Sequence, residues 1–538
     1  MEFKFDGQSY LYPSRRRVVY ARRGMVCTSQ PLASQAGLQM LQQGGNAVDA
    51  AIATAICQTI VEPTNNGLGS DCFALVWVKD KLYGLNGSGY APQKLTAEAV
   101  KEQGFSEKIP YKGWCAVTIP GAPSAWSELH KRFGKLPFAK LFEPAIYYAE
   151  NGYPISPIVA HFWQKAVDLL NDYRDNPAIA PWFKAFTING RAPHTGEMMH
   201  LDEHAKTLRL LAATGCEALY RGELAEKLTD FSDATGGYLS VEDFHDFRAE
   251  WVEPVAVDYR GYKVWEMPPN GHGITALMAL NILKGFDFPK KDCADTLHKQ
   301  IEAMKLAFAD GMHYIADPRY MQTKVSDLLS DAYAAQRRSL IGEQALQPTH
   351  GKPFCGGTVY LCTADTEGNM VSFIQSNYKD FGSGIVLPGY GLNLNCRAAG
   401  FSLDSASDDY LLPRKKPYHT IIPGFLTKDN QAVGPFGVMG EYMQPQGHVQ
   451  VIMNTVDFLL NPQAALDAPR WQWIEDKKIW IEDNVAPEII TELRRRGHEI
   501  TVMSDYTTFG RGEIIWRNND GILAGATEPR ADGTVAAW

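Results

Sequence analysis

The sequence predicts an α+β protein, and three patterns carry that expectation. Short apolar runs with alternating hydrophobicity, bounded by Gly, Asn and Asp, recur at 72–78, 358–376 and 420–438. Long helical patterns stand before and after these strand runs rather than trading places with them one for one. Gly44-Gly45 separates two adjacent helical patterns, the second rich in alanine, as packing close against a sheet requires.

Taken in order, Pro31 opens a first helix over 31–43, with Ser29 as the expected cap. Asn46 caps the next helix, where Ala47, Val48, Ala50, Ala51, Ala53, Ala55 and Ile56 give the small-residue face. The loop Asn65–Asp71 leads into a strand over Cys72–Val78. It is Gly-rich, but it lacks G-K-[ST] and precedes a strand, so it is not a phosphate loop. Residues 82–119 read as short strands and turns, and Pro120–Pro123 starts a helix through Leu129. Residues 139–186 and 200–231 read as helical, and Gly236–Ser240 is a turn capping Val241–Phe247. Pro268–Gly273 opens a helix over Ile274–Leu283, with His272 as a solvent-exposed or hydrogen-bonded start residue. A long helix spans 295–315, with Asp310 and Asp317 near its end as capping carboxylates. Residues 325–354 are polar and irregular. Two strands, 358–365 and 370–376, form a hairpin around Thr366-Glu367-Gly368-Asn369. Phe381–Gly384 is a loop before another strand, and 400–416 is a surface loop. Strands follow at 420–426 and 431–438, helices at 447–459, 462–466 and 486–496, and further strands to Gly525.

Composition bounds the function. The 538 residues are long enough for several domains or one large unit, and 45% hydrophobic content supplies a substantial core. A net charge of −9 argues against a nucleic-acid surface; the basic cluster Arg15–Arg17 with Arg22-Arg23 reads as solvated turns. Nine cysteines without Cys-x-x-Cys spacing fit reduced thiols, with Cys72, Cys115 and Cys362 in the core. The histidines are scattered, so neither a metal nor an organic cofactor is expected. No apolar run is long enough for a membrane span, and Met1–Tyr10 has no signal-like region, so a cytoplasmic protein is expected.

The hairpin is where chemistry concentrates. Gly356-Gly357 precede Thr358, which opens a strand. A threonine hydroxyl is a weak nucleophile unless a base adjoins it. If the bond before Thr358 is cut, its own α-amine becomes that base, titrating near ~7.7–8 and able to take and return a proton at neutral pH. The glycines let the backbone bend as an N→O acyl shift requires. By itself, Gly-Gly-Thr before a strand is a turn signal.

Neighbouring motifs change that reading. G-M-V-C-T-S-Q-P-L-A (24–33), G-G-N-A-V-D-A-A (44–51), V-E-P-T-N-N-G-L-G-S-D (61–71), A-F-A-D with D-P (307–318), F-G-S-G-I-V (381–386), Y-H-T-I-I-P (418–423), F-G-V-M-G (436–440) and A-P-R-W (468–471) occur in this order. Together the chain resembles the gamma-glutamyltransferase family of N-terminal-nucleophile hydrolases over nearly its whole length. The resemblance implies a four-layer αββα sandwich and a self-cut between Gly357 and Thr358. It also implies a large segment 1–357 and a small catalytic segment 358–538 that together form one domain. It places the nucleophile at Thr358 and a supporting hydroxyl at Ser376. The oxyanion-hole pair falls on Gly440 and Glu441, whose amides serve without glycine unless φ is positive. A family serine pair falls on His419 and Thr420 as substrate contacts, and a lid loop on Ser402–Pro417, shorter than in bacterial relatives.

The same resemblance points to the acyl group. In glutamyl-specific relatives an arginine holds the α-carboxylate and an aspartate the α-ammonium; here these positions fall on Ala97 and Gly400. Arg397 supplies a nearby cation able to grip a carboxylate, and Lys94 is a candidate to swing in for the missing arginine. The expected substrate is a small-molecule amide whose acyl group carries a carboxylate and no α-amino head, oxamate- or glutaryl-like, passed to water or an amine acceptor. A true glutathione-using transferase and a non-catalytic scaffold are the rival readings, and the resemblance leaves room for a homodimer.

Overall fold

The structure, a computed structural model of the chain, describes residues 16–348 and 358–538. Gly357 and Arg15 lie outside the described residues. Two seven-stranded antiparallel sheets stack face to face, with helices on each outer side. One sheet runs Val19–Ala21, Leu523–Thr527, Arg511–Arg517, Gln431–Met439, Gly424–Lys428, Tyr262–Glu266 and Val255–Tyr259. The other runs Thr534–Ala537, Gly24–Thr28, Val359–Asp365, Met370–Ser376, Asp71–Val78, Lys81–Gly87 and Glu250–Val252. This is the α+β, four-layer αββα sandwich. Each sheet contains strands from before and after Gly357.

Side-chain alternation along the strands builds the layers. Tyr360, Cys362, Ala364, Met370 and Ile374 pack between the sheets with Met25, Phe425 and Ile515. Leu361, Val371 and Phe373 point the other way, onto the helix Ala47–Val61. That helix is buried along its whole length. Its Val48, Ile52, Ile56 and Ile60 each contribute roughly 1.5–3 kcal/mol by leaving water. The strand is also tied to the start of this helix: Asp365 accepts from the Ala47 N–H at 2.9 Å and Thr363 donates to the Ala47 carbonyl at 2.7 Å. The helix Pro31–Gln42 crosses it at Gly37, where a Cβ would stand 2.2 Å from Thr54 Oγ1. On the opposite side, Gly273–Leu283, Ala294–Tyr314 and Met443–Val456 cover the first sheet.

Several expectations need correction. Gln30 rather than Ser29 caps the first helix, accepting from Leu32 and Ala33, because Ser29 is committed to Glu62 at 2.6 Å. Asn46 does cap the second, in a capping box with Asp49. Residues 82–119 hold one strand, Lys81–Gly87, and a helix, Ala97–Glu102. No named strand follows Phe381–Gly384; the chain loops onward to Arg397–Gly400. The 400–416 loop is solvated only in part: Asp404, Ser405 and Ala406 are exposed, while Phe401, Leu403 and Leu411 bury against Ala91, Leu95 and Ala97. Asp310 and Asp317 are not caps but ion-pair partners, of Arg337 at 2.9 Å and Arg319 at 2.6 Å. Of the two expectations for His272, the hydrogen-bonded one holds: it starts the helix Gly273–Leu283, fully buried and bonded to Tyr418 at 3.1 Å. The later helix starts at Met443, earlier than expected, and ends at Val456. No helix among the described residues is long and apolar enough to cross a membrane.

Candidate active site

The hairpin register puts Val359 opposite Gln375. One step further along, Thr358 and Ser376 face each other on the inter-sheet side. Both are fully buried, and Thr358 Oγ1 donates to Ser376 Oγ at 3.2 Å. Ser376 in turn accepts from the Tyr378 N–H at 2.8 Å. Tyr378 has φ +81°, so the chain turns sharply just past the strand.

That turn sets the Tyr378 ring under Arg397, whose guanidinium carbon lies 4.3 Å from the ring centroid. Arg397, expected as a nearby cation able to grip a carboxylate, is fully buried and already engaged by protein groups. Its Nε donates to Asp71 Oδ2 at 3.2 Å and its Nη1 to Thr420 Oγ1 at 2.9 Å. Nη2 has no partner among the described residues. His419 donates through Nε2 to the same Asp71 oxygen at 2.9 Å, while its Nδ1 accepts from Ile421. Burial, helped by the adjacent Arg397 charge, pushes the imidazole down to about 4, so it is neutral at pH 7. Asp71 therefore holds one cation and one neutral ring, and Arg397, His419 and Thr420 form one cluster around it.

Gly440 and Glu441 lie where the strand Gln431–Met439 turns into the helix Met443–Val456. Their carbonyls accept from Met443 and Gln444 at 2.9 and 3.0 Å. Their N–H groups have no acceptor among the described residues. Gly440 has φ +133° and Glu441 φ +50°. Glycine is thus required at 440, and Glu441 holds a left-handed conformation costing a non-glycine residue ~1–2 kcal/mol. Two unspent amides beside a helix N-terminus make a fitting cradle for an oxyanion. The Glu441 side chain is buried 3.3 Å from Lys379 Nζ. Burial raises its carboxyl to about 7, with Lys379 and Arg397 pulling it back. Tyr111, Tyr378 and Tyr442 surround this pair.

The two positions read for an α-amino-acid head offer nothing charged. Ala97 packs among Ala398, Phe401 and Leu411. Lys94 points away to Asp233 at 3.4 Å and is about half exposed. Sequence reading missed Asp71, Tyr378 and Lys379. Asp71 closes the N-N-G-L-G-S-D loop, whose glycines drew attention to phosphate binding instead of to the carboxylate beyond them.

The histidines are less scattered than their spacing indicates. His298, Glu302 and His498 converge, their ligand atoms within 4.8 Å of one another. The Lys305 ammonium sits 2.8 Å from Glu302, so a resident cation already neutralises that carboxylate.

Known proteins resemble this chain over nearly its whole length. The gamma-glutamyltranspeptidase family model matches residues 33–538. A glutathione hydrolase-like YwrD proenzyme of Bacillus subtilis is 35% identical, over 96% of this chain and 99% of the relative. An oxamate amidohydrolase proenzyme of Klebsiella pneumoniae is 33% identical, over 96% and 98%. The crystal structure of a cephalosporin acylase from Bacillus halodurans superposes with a TM-score of 0.97 at 59% identity, covering 100% of this chain and 99% of that one. The chain belongs to the gamma-glutamyltranspeptidase family and is an amidohydrolase or acyltransferase with the N-terminal-nucleophile fold.

Proposed function

We propose that this chain cuts itself between Gly357 and Thr358 and then cleaves small-molecule amides through a threonyl ester on Thr358. The acyl group is one bearing a carboxylate and no α-ammonium, oxamate- or glutaryl-like. Segments 1–357 and 358–538 are then the large and small chains of the mature enzyme. Relatives described as proenzymes, amidohydrolase and acylase support this class of reaction.

The free α-amine of Thr358 takes the hydroxyl proton as Oγ1 attacks the amide carbon. Ser376 holds the hydroxyl in line. The Gly440 and Glu441 amides receive the developing oxyanion, a donor pair whose loss typically costs ~3–4 kcal/mol per member. The amine proton passes to the leaving nitrogen, and water or an amine then attacks the ester by the same route.

The observation carrying the substrate class is the unpartnered Nη2 of Arg397. The remainder of the guanidinium is fixed by Asp71, Thr420 and the Tyr378 ring. Nη2, with its two N–H groups, is left to receive a carboxylate. The apolar packing at Ala97 and the outward Lys94 supply no second grip for an amino-acid head. The test is kcat/KM for oxamate, a glutaryl anilide and a γ-glutamyl anilide, in wild type and Arg397→Ala. Wild type is expected to prefer one of the first two, and Arg397→Ala to lose that preference. A γ-glutamyl anilide turned over far better than both would overturn the substrate assignment.

A further inference from the structure

Glu441 lends its amide to the oxyanion pair, so its own carboxyl group lies within one side chain's length of the reacting atoms. That side chain is fully buried, and neither oxygen has a hydrogen-bond partner among the described residues. What faces it is a cation: Lys379 Nζ lies 3.3 Å from Oε2. The fold aims this ammonium. Lys379 follows Tyr378 in the turn beyond Ser376; its N–H donates to Cys396 Sγ at 3.4 Å, and its carbonyl accepts from Gly382 at 2.7 Å. Its Nζ stands 4.8 Å from the centroid of the Tyr111 ring, which packs edge-on against Tyr378 at 5.7 Å. Burial pushes the Tyr111, Tyr378 and Tyr442 phenols up and the Cys396 thiol to about 11, so these groups stay neutral around pH 7. Arg397 adds a positive charge and Asp380 a negative one, and Lys112 donates to the Asp380 and Gly382 carbonyls at 3.1 and 2.7 Å. Among these neighbours, the Glu441 carboxyl changes charge near 7.

We propose that Lys379 is a positioning residue of the oxyanion site, holding its charge against the Glu441 carboxyl so that the pair is net positive when the carboxyl is protonated and neutral when it is ionised, and that this charge tunes the rate of acyl transfer. The inference rests on the threonyl-ester reaction proposed above. An oxyanion gains from a nearby positive charge and loses from a nearby negative one. In a buried site one unit of charge this close changes a rate about tenfold or more. Below about pH 7 the pair helps the oxyanion, and above it that help is lost. The Thr358 amine pulls the other way, because it must be the free base to act and titrates near ~7.7–8. Comparing variants that differ only in whether residue 441 can ionise separates the two.

The test is kcat from about pH 5.5 to 9.5 on saturating glutaryl anilide, or on oxamate where that is turned over faster. The proteins are wild type, Glu441→Gln, Lys379→Met, Lys379→Arg and the double change Glu441→Gln with Lys379→Met. Wild type divided by Glu441→Gln should fall about tenfold with rising pH, with its midpoint near 7. Lys379→Met divided by the double change should stay level through neutral pH and fall only above it, because the cation that favours the carboxylate is gone. Lys379→Met should also be about tenfold slower than wild type at the acid end, and Lys379→Arg should regain most of that rate. A merely structural role would slow the variants by one factor at every pH. A wild-type to Glu441→Gln ratio that is flat with pH, or a midpoint that Lys379→Met leaves in place, would overturn the proposal. Glu441→Gln is nearly isosteric, so the first ratio decides where Lys379→Met fails to fold. A Thr358→Ala chain as active as wild type would instead refute the nucleophile on which the inference rests.

Discussion

Thr358 and Ser376 are cross-strand neighbours whose hydroxyls meet at 3.2 Å on the buried inter-sheet face of one hairpin. The pair explains why a nucleophile would sit just before a central strand, Val359–Asp365. The ladder, which begins at Val359, fixes the backbone next to it. Ser376→Ala should lower kcat about tenfold, the kinetic equivalent of one hydrogen bond at ~1.4 kcal/mol. Ser376→Thr should retain most of the activity. Steady-state kinetics on the preferred substrate of wild type decides between them.

Asp71 and Arg397 are both fully buried and joined at 3.2 Å. Asp71→Asn leaves a guanidinium without its counter-charge, a change costing about 3–5 kcal/mol. Adding Arg397→Met should recover part of that loss, since the uncompensated charge is then gone. Denaturant midpoints of the two single variants and the double variant measure the coupling. Strict additivity would contradict it.

Glu441 gives the protein a specific pH signature. Its folded carboxyl stands near 7 against an ordinary value of 4.5, mainly through burial. The folded state therefore binds this proton more tightly than the unfolded chain. The associated stability is present below about pH 4.5 and is lost as pH rises to 7, a swing of about 3 kcal/mol. Thermal unfolding from pH 5 to 8 should show a shallower pH dependence in Glu441→Gln than in wild type. Equal slopes would remove Glu441 as the cause.

A second buried ionic network braces the small segment. Arg530 bonds Glu482 at 2.6 and 2.7 Å and Glu528 at 2.6 Å, and Arg470 bonds Glu528 at 2.7 Å. Arg530→Met leaves Glu482 without its arginine and should destabilise by about 3–5 kcal/mol. Activity at a temperature well below unfolding should change little, because no member touches the Thr358 cluster. Denaturant unfolding read beside steady-state rates at low temperature checks both halves.

The parts of this molecule legible in sequence are those that local chemistry decides. The 359–376 hairpin follows from alternation and an Asp-x-x-Gly-Asn turn, and the Asn46 cap from Asn followed by Asp three residues on. Motif order carried the sandwich fold, the family and the grouping of Arg397, His419 and Thr420. What stayed hidden depends on long-range partners. Nothing local tells that Arg397 pairs with Asp71, 326 positions earlier. The left-handed backbone at Glu441 follows from a strand-to-helix junction rather than from its residue type. Ser29 lost its cap role to Gln30 because Glu62 claims its hydroxyl. The 400–416 loop reads as polar, yet its Phe401, Leu403 and Leu411 side chains find a pocket made by residues 91–97.

Intact-mass measurement and N-terminal sequencing of the purified protein test the central claim most directly. The account predicts two co-purifying fragments, the smaller beginning Thr-Val-Tyr-Leu, and a single inactive chain for Thr358→Ala. An intact wild-type chain with full amidohydrolase activity would contradict it.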